Sequence, residues 1–99
     1  MAKLTTVYWR DIPAQVIAKE RRDTAKVVLT ERFAEAIDKA AMRAKMAGTD
    51  AYLEQWRREV VNCGKDLQAV VDEAAAKLEQ AYDDARLAEL ISSGGVESR

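Results

Sequence analysis

Val7-Tyr8-Trp9-Arg10-Asp11-Ile12-Pro13-Ala14-Gln15-Val16 is the run that decides how this chain folds. It places two large aromatics, an Arg/Asp pair and the chain's only proline between two segments that alternate like β-strands. Upstream, Leu4 to Arg10 is rich in β-branched and aromatic residues. Thr5, Val7 and Trp9 share one face and Leu4, Thr6 and Tyr8 the other, which predicts a strand with both faces usable. Pro13 lacks an N–H and pushes Ile12 towards extended geometry, so Asp11-Ile12-Pro13 reads as a turn or an edge-strand bend. Gln15 to Lys19 then resumes as the second strand of a hairpin.

Outward from the hairpin, Glu20-Arg21-Arg22-Asp23 is the next turn, and Ala25 to Leu29 is either a short third strand or an extended lead-in. Thr30 is placed to cap a helix, with Glu31 near its positive end. Phe33, Ile37, Ala40, Ala41 and Ala44 form one apolar stripe at helical spacing, supported by a Glu35/Lys39 pair. Gly48 supplies a left-handed stop after Lys45. Thr49-Asp50 opens a short helical turn carrying Tyr52, Leu53 and Trp56. For residues 57–63, Val60 and Val61 predict a strand that pairs with the hairpin. The alternative is a helix continued from Asp50, and Asn62 and Gly64 mark a break after either. Asp66 opens the longest helix, expected to run to about residue 91 within the usual boundary error. Leu67, Val70, Val71, Ala74, Leu78, Ala81 and Ala85 trace its apolar face. Gly94-Gly95 and polar neighbours predict a frayed tail. The sum is an α+β fold of order roughly β-β-α-β-α: a small antiparallel sheet, hairpin plus third strand, covered on one face by two amphipathic helices. Residues 1–91 make a single domain and 92–99 a flexible C-terminal tail.

Composition bounds what such a domain can do. A chain of 99 residues buries one modest core. Its 48% apolar content is too high for a disordered chain, and no apolar stretch approaches a bilayer-spanning length. The N-terminal residues 1–6 lack an apolar signal-peptide core, and one cysteine, Cys63, fits a reducing cytoplasm. Net charge is −1 but uneven. Residues 1–33 carry seven Lys/Arg against four Asp/Glu, whereas residues 64–99 carry four against eight. With a basic half this weakly charged and an acidic half attached to it, the asymmetry reads as two halves of one fold attracting each other.

Chemistry is mostly excluded. The sequence has no histidine, which removes a Ser-His-Asp triad, a Cys-His pair and His-based zinc sites within the chain. No phosphate-binding glycine loop occurs, and Gly94-Gly95 falls in the expected tail. Cys63, with no base beside it, reads as a small hydrophobe at a strand end. Asp72, Glu79 and Asp83 fall near one helix face and read as solvated, since a hard-cation site draws ligands from more than one element. Lys19, Arg21, Arg22 and Lys26 read as a solvated turn, interrupted by Glu20 and Asp23. Both tryptophans are expected to anchor the core, their arginines lying at the rim or paired to Asp11 and Glu59. Trp and Arg together also mark binding hot spots. Arg10, Asp11, Trp56, Arg57 and Arg58 are therefore the candidate partner-binding residues. No catalytic, cofactor or metal residue is assigned.

The segment Thr6–Val16 resembles the opening of a small bacterial family known only as "virulence factor", whose domain type also occurs in the larger conserved virulence factor C. Further likeness lies in Leu29-Thr30-Glu31-Arg32-Phe33, in Ala36–Arg43 and in Asp50–Arg58. The resemblance implies no reaction and carries over no catalytic residue. Members often lie beside genes of methyltetrahydrofolate and corrinoid one-carbon metabolism, which implies an accessory subunit for such enzymes. The expected function is a non-catalytic protein-interaction or accessory domain of the bacterial cytoplasm, with a protein partner, no DNA and no membrane. The alternatives are that one-carbon subunit and a small-molecule or nucleotide binder using Trp and Arg.

Overall fold

The hairpin forms, with a tighter turn than its sequence suggests. A computed structural model describes residues 2–96. β1 (Lys3–Trp9) and β2 (Ile12–Glu20) are joined by Arg10 and Asp11 alone, because Arg10 takes the left-handed conformation at φ +54°. The second strand therefore starts at Ile12, three residues earlier than expected, and Pro13 lies inside it opposite Tyr8. Proline is tolerated there because the β1–β2 register slips between Val7 and Tyr8, and β3 pairs with β2 only from Gln15 onward.

β3 (Asp23–Val28) makes the third strand a real one, and β4 (Trp56–Asn62) resolves the ambiguous segment as a strand antiparallel to β1. The four-stranded sheet has the order β3-β2-β1-β4. Between the strands lie α1 (Glu31–Arg43) and α2 (Asp50–Glu54), and after them α3 (Leu67–Ala81) and α4 (Asp84–Ser92). The class is α+β as expected, with the order β-β-β-α-α-β-α-α.

Cross-strand partners share a face, so the register divides the sheet's residues cleanly. Leu4, Val16, Ala18, Ala25 and Val27 point to the core. α3 lies over β2 and β3, while α1 touches β2 and packs against α4. Trp9, Ile12, Val16, Phe33 and Val71 are fully enclosed.

Three expectations are corrected. The long helix from Asp66 breaks at Tyr82-Asp83. Asp83 caps α4 by accepting from the Arg86 N–H at 2.8 Å, while the Glu79 and Tyr82 carbonyls that a continuous helix would use accept from the Arg32 guanidinium. α1 stops at Arg43, and Lys45 rather than Gly48 takes the left-handed position that ends it, at φ +60°. The Met46 N–H donates to Ala41 O and the Lys45 N–H to Met42 O, the paired bonds of a Schellman cap. The segment expected to fray from Ser92 repeats that cap: Gly94 has φ +70°, and the Gly95 N–H donates to Leu90 O at 2.7 Å. Gly94 and Gly95 are buried, and residues 97–99 lie outside the described residues.

Candidate functional site: the uncovered sheet face

The core-facing set leaves the opposite side chains of the same strands to a second face. Its first row is Thr24, Lys19, Lys3 and Asn62, its second Lys26, Ile17, Thr5 and Val60, and its third Val28, Gln15, Val7 and Arg58. At the hairpin end, Trp9 and Trp56 continue it. Only that end is covered. Trp9 has no exposed surface, stacks on Tyr52 at 5.5 Å, and donates its indole N–H to Tyr52 O at 2.9 Å. Beyond Trp9 the outer strands leave the face open, with Val28 65% exposed, Val60 55% and Trp56 36%, while Val7 between them is buried.

Trp56 stands edge-on to Tyr52 at 6.1 Å between ring centres. Two clefts meet at Trp56 and Gln15. One, about 250 Å³, is lined further by Ala14, Val28, Leu29, Ala34, Ile37, Asp38 and Tyr52. The other, about 330 Å³, lies over Val7, Arg57 and Arg58. The indole thus forms a ridge between a largely apolar depression and one rimmed by Gln15, Arg57 and Arg58.

The candidate residues separate into two groups. Arg10 is a staple: its guanidinium donates to Gln55 Oε1 at 3.3 Å, Gly94 O at 3.0 Å and Met46 Sδ at 3.2 Å, and lies over the Trp9 ring. Its partner is not Asp11, whose carboxylate instead accepts from Arg57 at 3.2 Å and whose N–H donates to Gly95 O at 2.8 Å. Arg57 also pairs with Glu59, donates to Arg10 O at 2.9 Å, and lies 4.4 Å over the Tyr8 ring. The Tyr8 phenol is held above its ordinary value, first by burial and next by the Glu59 carboxylate, against the opposing Arg57 charge. Arg10, Asp11 and Arg57 therefore lock the hairpin turn to β4 and to the end of α4. Arg58, opposite Val7 on the uncovered face, makes no side-chain bond among the described residues. Trp56 and Arg58 are the two candidates that lie on the uncovered face outside this lock, whereas Arg57, though exposed, is held by Asp11 and Glu59.

Sequence reasoning passed over Lys3, Val28 and Val60 as site residues and set Lys19 and Lys26 aside as a solvated turn. Their signal was the alternation itself, visible only once β3 and β4 are known to flank the hairpin. Cys63 follows β4 half-buried against the core. Glu79 is taken by Thr30 and Arg32, and no group of three metal-ligating side chains occurs among the described residues. No helix among them is long and apolar enough to cross a membrane.

Comparison with curated proteins and with solved structures returns no match. A family profile described as "Virulence factor" matches residues 7–91, from the middle of β1 to the last turn of α4. That span contains the hairpin turn with its Arg57 lock, all but the first residues of the sheet, and all four helices, so the chain belongs to the virulence factor family.

Proposed function

We propose that this domain is a non-catalytic, protein-binding accessory module of the bacterial cytoplasm, and that its contact surface is the uncovered sheet face around Trp56 and Arg58. The observation that carries this is the exposure of Val28, Trp56 and Val60 on one face of the sheet, whose other face is packed by α3 over β2 and β3 and left exposed at β4, where Val61 is 57% exposed. Exposed apolar side chains gathered on one face of a small domain mark an interaction surface, and Trp and Arg are the residues that most often anchor one. β4 adds an edge whose seven residues are all exposed. A small-molecule or nucleotide reading fits less well. The clefts on either side of Trp56, about 250 and 330 Å³, are open and lie at or near the lower end of the roughly 300–1,000 Å³ of pockets that enclose such ligands.

The test is affinity purification from the native host with the wild type, Trp56→Ala and Val60→Ser, each checked by thermal melting. The wild type is expected to recover a protein that both variants lose while still folding. Equal recovery by all three refutes the assignment of this face. Recovery of a methyltetrahydrofolate or corrinoid enzyme would establish the narrower one-carbon role suggested by the family's gene neighbourhoods.

A further inference from the structure

We propose, resting on that docking reading, that the partner lays an acidic amphipathic helix across the uncovered face. The charge of the face carries the inference. Lys3, Lys19, Lys26 and Arg58 all belong to it, and no strand residue that shares it is acidic. The chain as a whole has 17 Asp/Glu against 16 Lys/Arg, so this segregation is local. The strand carboxylates Glu20, Asp23 and Glu59 fall on the other face. Lys3 bonds only to the neutral Asn62 amide, and Lys19, Lys26 and Arg58 have no ion pair among the described residues. Lys3 and Lys19 stand directly opposite one another, a like-charge pairing that works against the sheet. An anionic occupant turns that repulsion into attraction.

Apolar side chains lie among the cations: half-buried Ile17 and exposed Val60 in one row, exposed Val28 in the next. A bound surface must therefore offer carboxylates and apolar groups together. Four strands at about 4.8 Å spacing give a face roughly 15–20 Å wide, room for one helix of about 10–12 Å diameter.

The rival occupants fit worse. Single-stranded nucleic acid stacks its bases on aromatic side chains, and this face offers aliphatic ones with a single exposed indole at its margin. A second copy would bring the same cations face to face. Pairing β4 with itself over its full length would set Glu59 opposite Glu59.

The experiment titrates the full chain with four probes: an amphipathic Glu/Leu helical peptide, its Gln/Leu counterpart, oligouridylate, and the protein itself, by calorimetry and tryptophan fluorescence. The Glu/Leu peptide is expected to bind about tenfold or more tightly than the Gln/Leu peptide, and to lose about tenfold with Lys26→Glu or Arg58→Glu and with added salt. Lys19→Glu is expected to weaken binding while holding or raising the melting temperature, because it replaces a like-charge pair by an opposite one. Equal binding of both peptides, preference for oligouridylate, self-association that excludes the peptide, or indifference to the charge reversals each overturns the proposal. If a native partner depends on Trp56 but survives the reversals, the docking face stands and the acidic helix falls. If neither substitution matters, both fall.

Discussion

Gly95→Ala probes whether the C-terminal turn is part of the core. Gly95 has φ +92°, and a Cβ built on it would sit 2.7 Å from Cζ3 and 3.1 Å from Cε3 of Trp9, where ordinary contact begins at 3.4 Å. The indole cannot retreat: it is fully enclosed, stacked on Tyr52 and tied through its N–H to Tyr52 O. A side chain in the left-handed region costs about 1–2 kcal/mol and overpacking a tight core about 1–3 kcal/mol more. The expected loss is about 3 kcal/mol, or roughly 12–24 °C in melting temperature for a domain of this size. Gly48→Ala is the control, since Gly48 has φ +75° with nothing within 4 Å of the added methyl. It should show the strain alone, about 1 kcal/mol. Urea denaturation followed by circular dichroism, with equal m-values, gives both numbers. If the two variants lose the same amount, Gly95 does not pack on Trp9, and the assignment of the turn to the core is refuted.

Glu79 makes acid stability testable. Burial alone would raise its carboxyl, but the Thr30 N–H and hydroxyl and the Arg32 guanidinium outweigh burial and hold it below its ordinary 4.5. Its contribution is therefore present above that value and lost as pH falls through and below it. Glu79→Gln should cost about 2 kcal/mol at neutral pH, with the gap to wild type closing in acid; a constant gap would refute the linkage. Asp83→Ala removes the side-chain acceptor of the Arg86 N–H and should cost about 1 kcal/mol by urea midpoint, whereas no change would mean that α4 is not capped there. Arg10→Lys cannot span Gln55, Met46 and Gly94 together and should lower stability by about 1–3 kcal/mol; a neutral result would reassign Arg10 from staple to free surface.

Local chemistry made several elements legible. The alternation of Leu4–Arg10, the apolar stripe of Phe33, Ile37, Ala40 and Ala41, and the valines of β4 each predicted their own element, because burial of one face is written into residue spacing. The α3–α4 break was not legible. Its causes are an Asp83 cap that also reads as helix surface, and Arg32, which lies 47 residues before Glu79. The C-terminal glycines looked like a tail because their cap is complete only with Arg10 and Trp9 beside them. At the candidate site, Trp56 and Arg58 were found by residue type. Arg10 and Asp11 were taken for a pair, although Asp11 pairs with Arg57 from a strand 46 residues away.

By itself the sequence determined the α+β class, the hairpin, the family and the exclusion of histidine chemistry, since each depends on residue identity or short-range period. Only the tertiary structure decided which side of the sheet stays open. Lys3, Lys19, Lys26 and Arg58 are scattered over 56 positions of chain, and strand register alone gathers them on one face. Register is a relation between distant segments, established by burying Val16 and Ala18 of β2 on the side where α3 packs, with Leu4 of β1 against the same core. The charge of the opposite face follows from that burial.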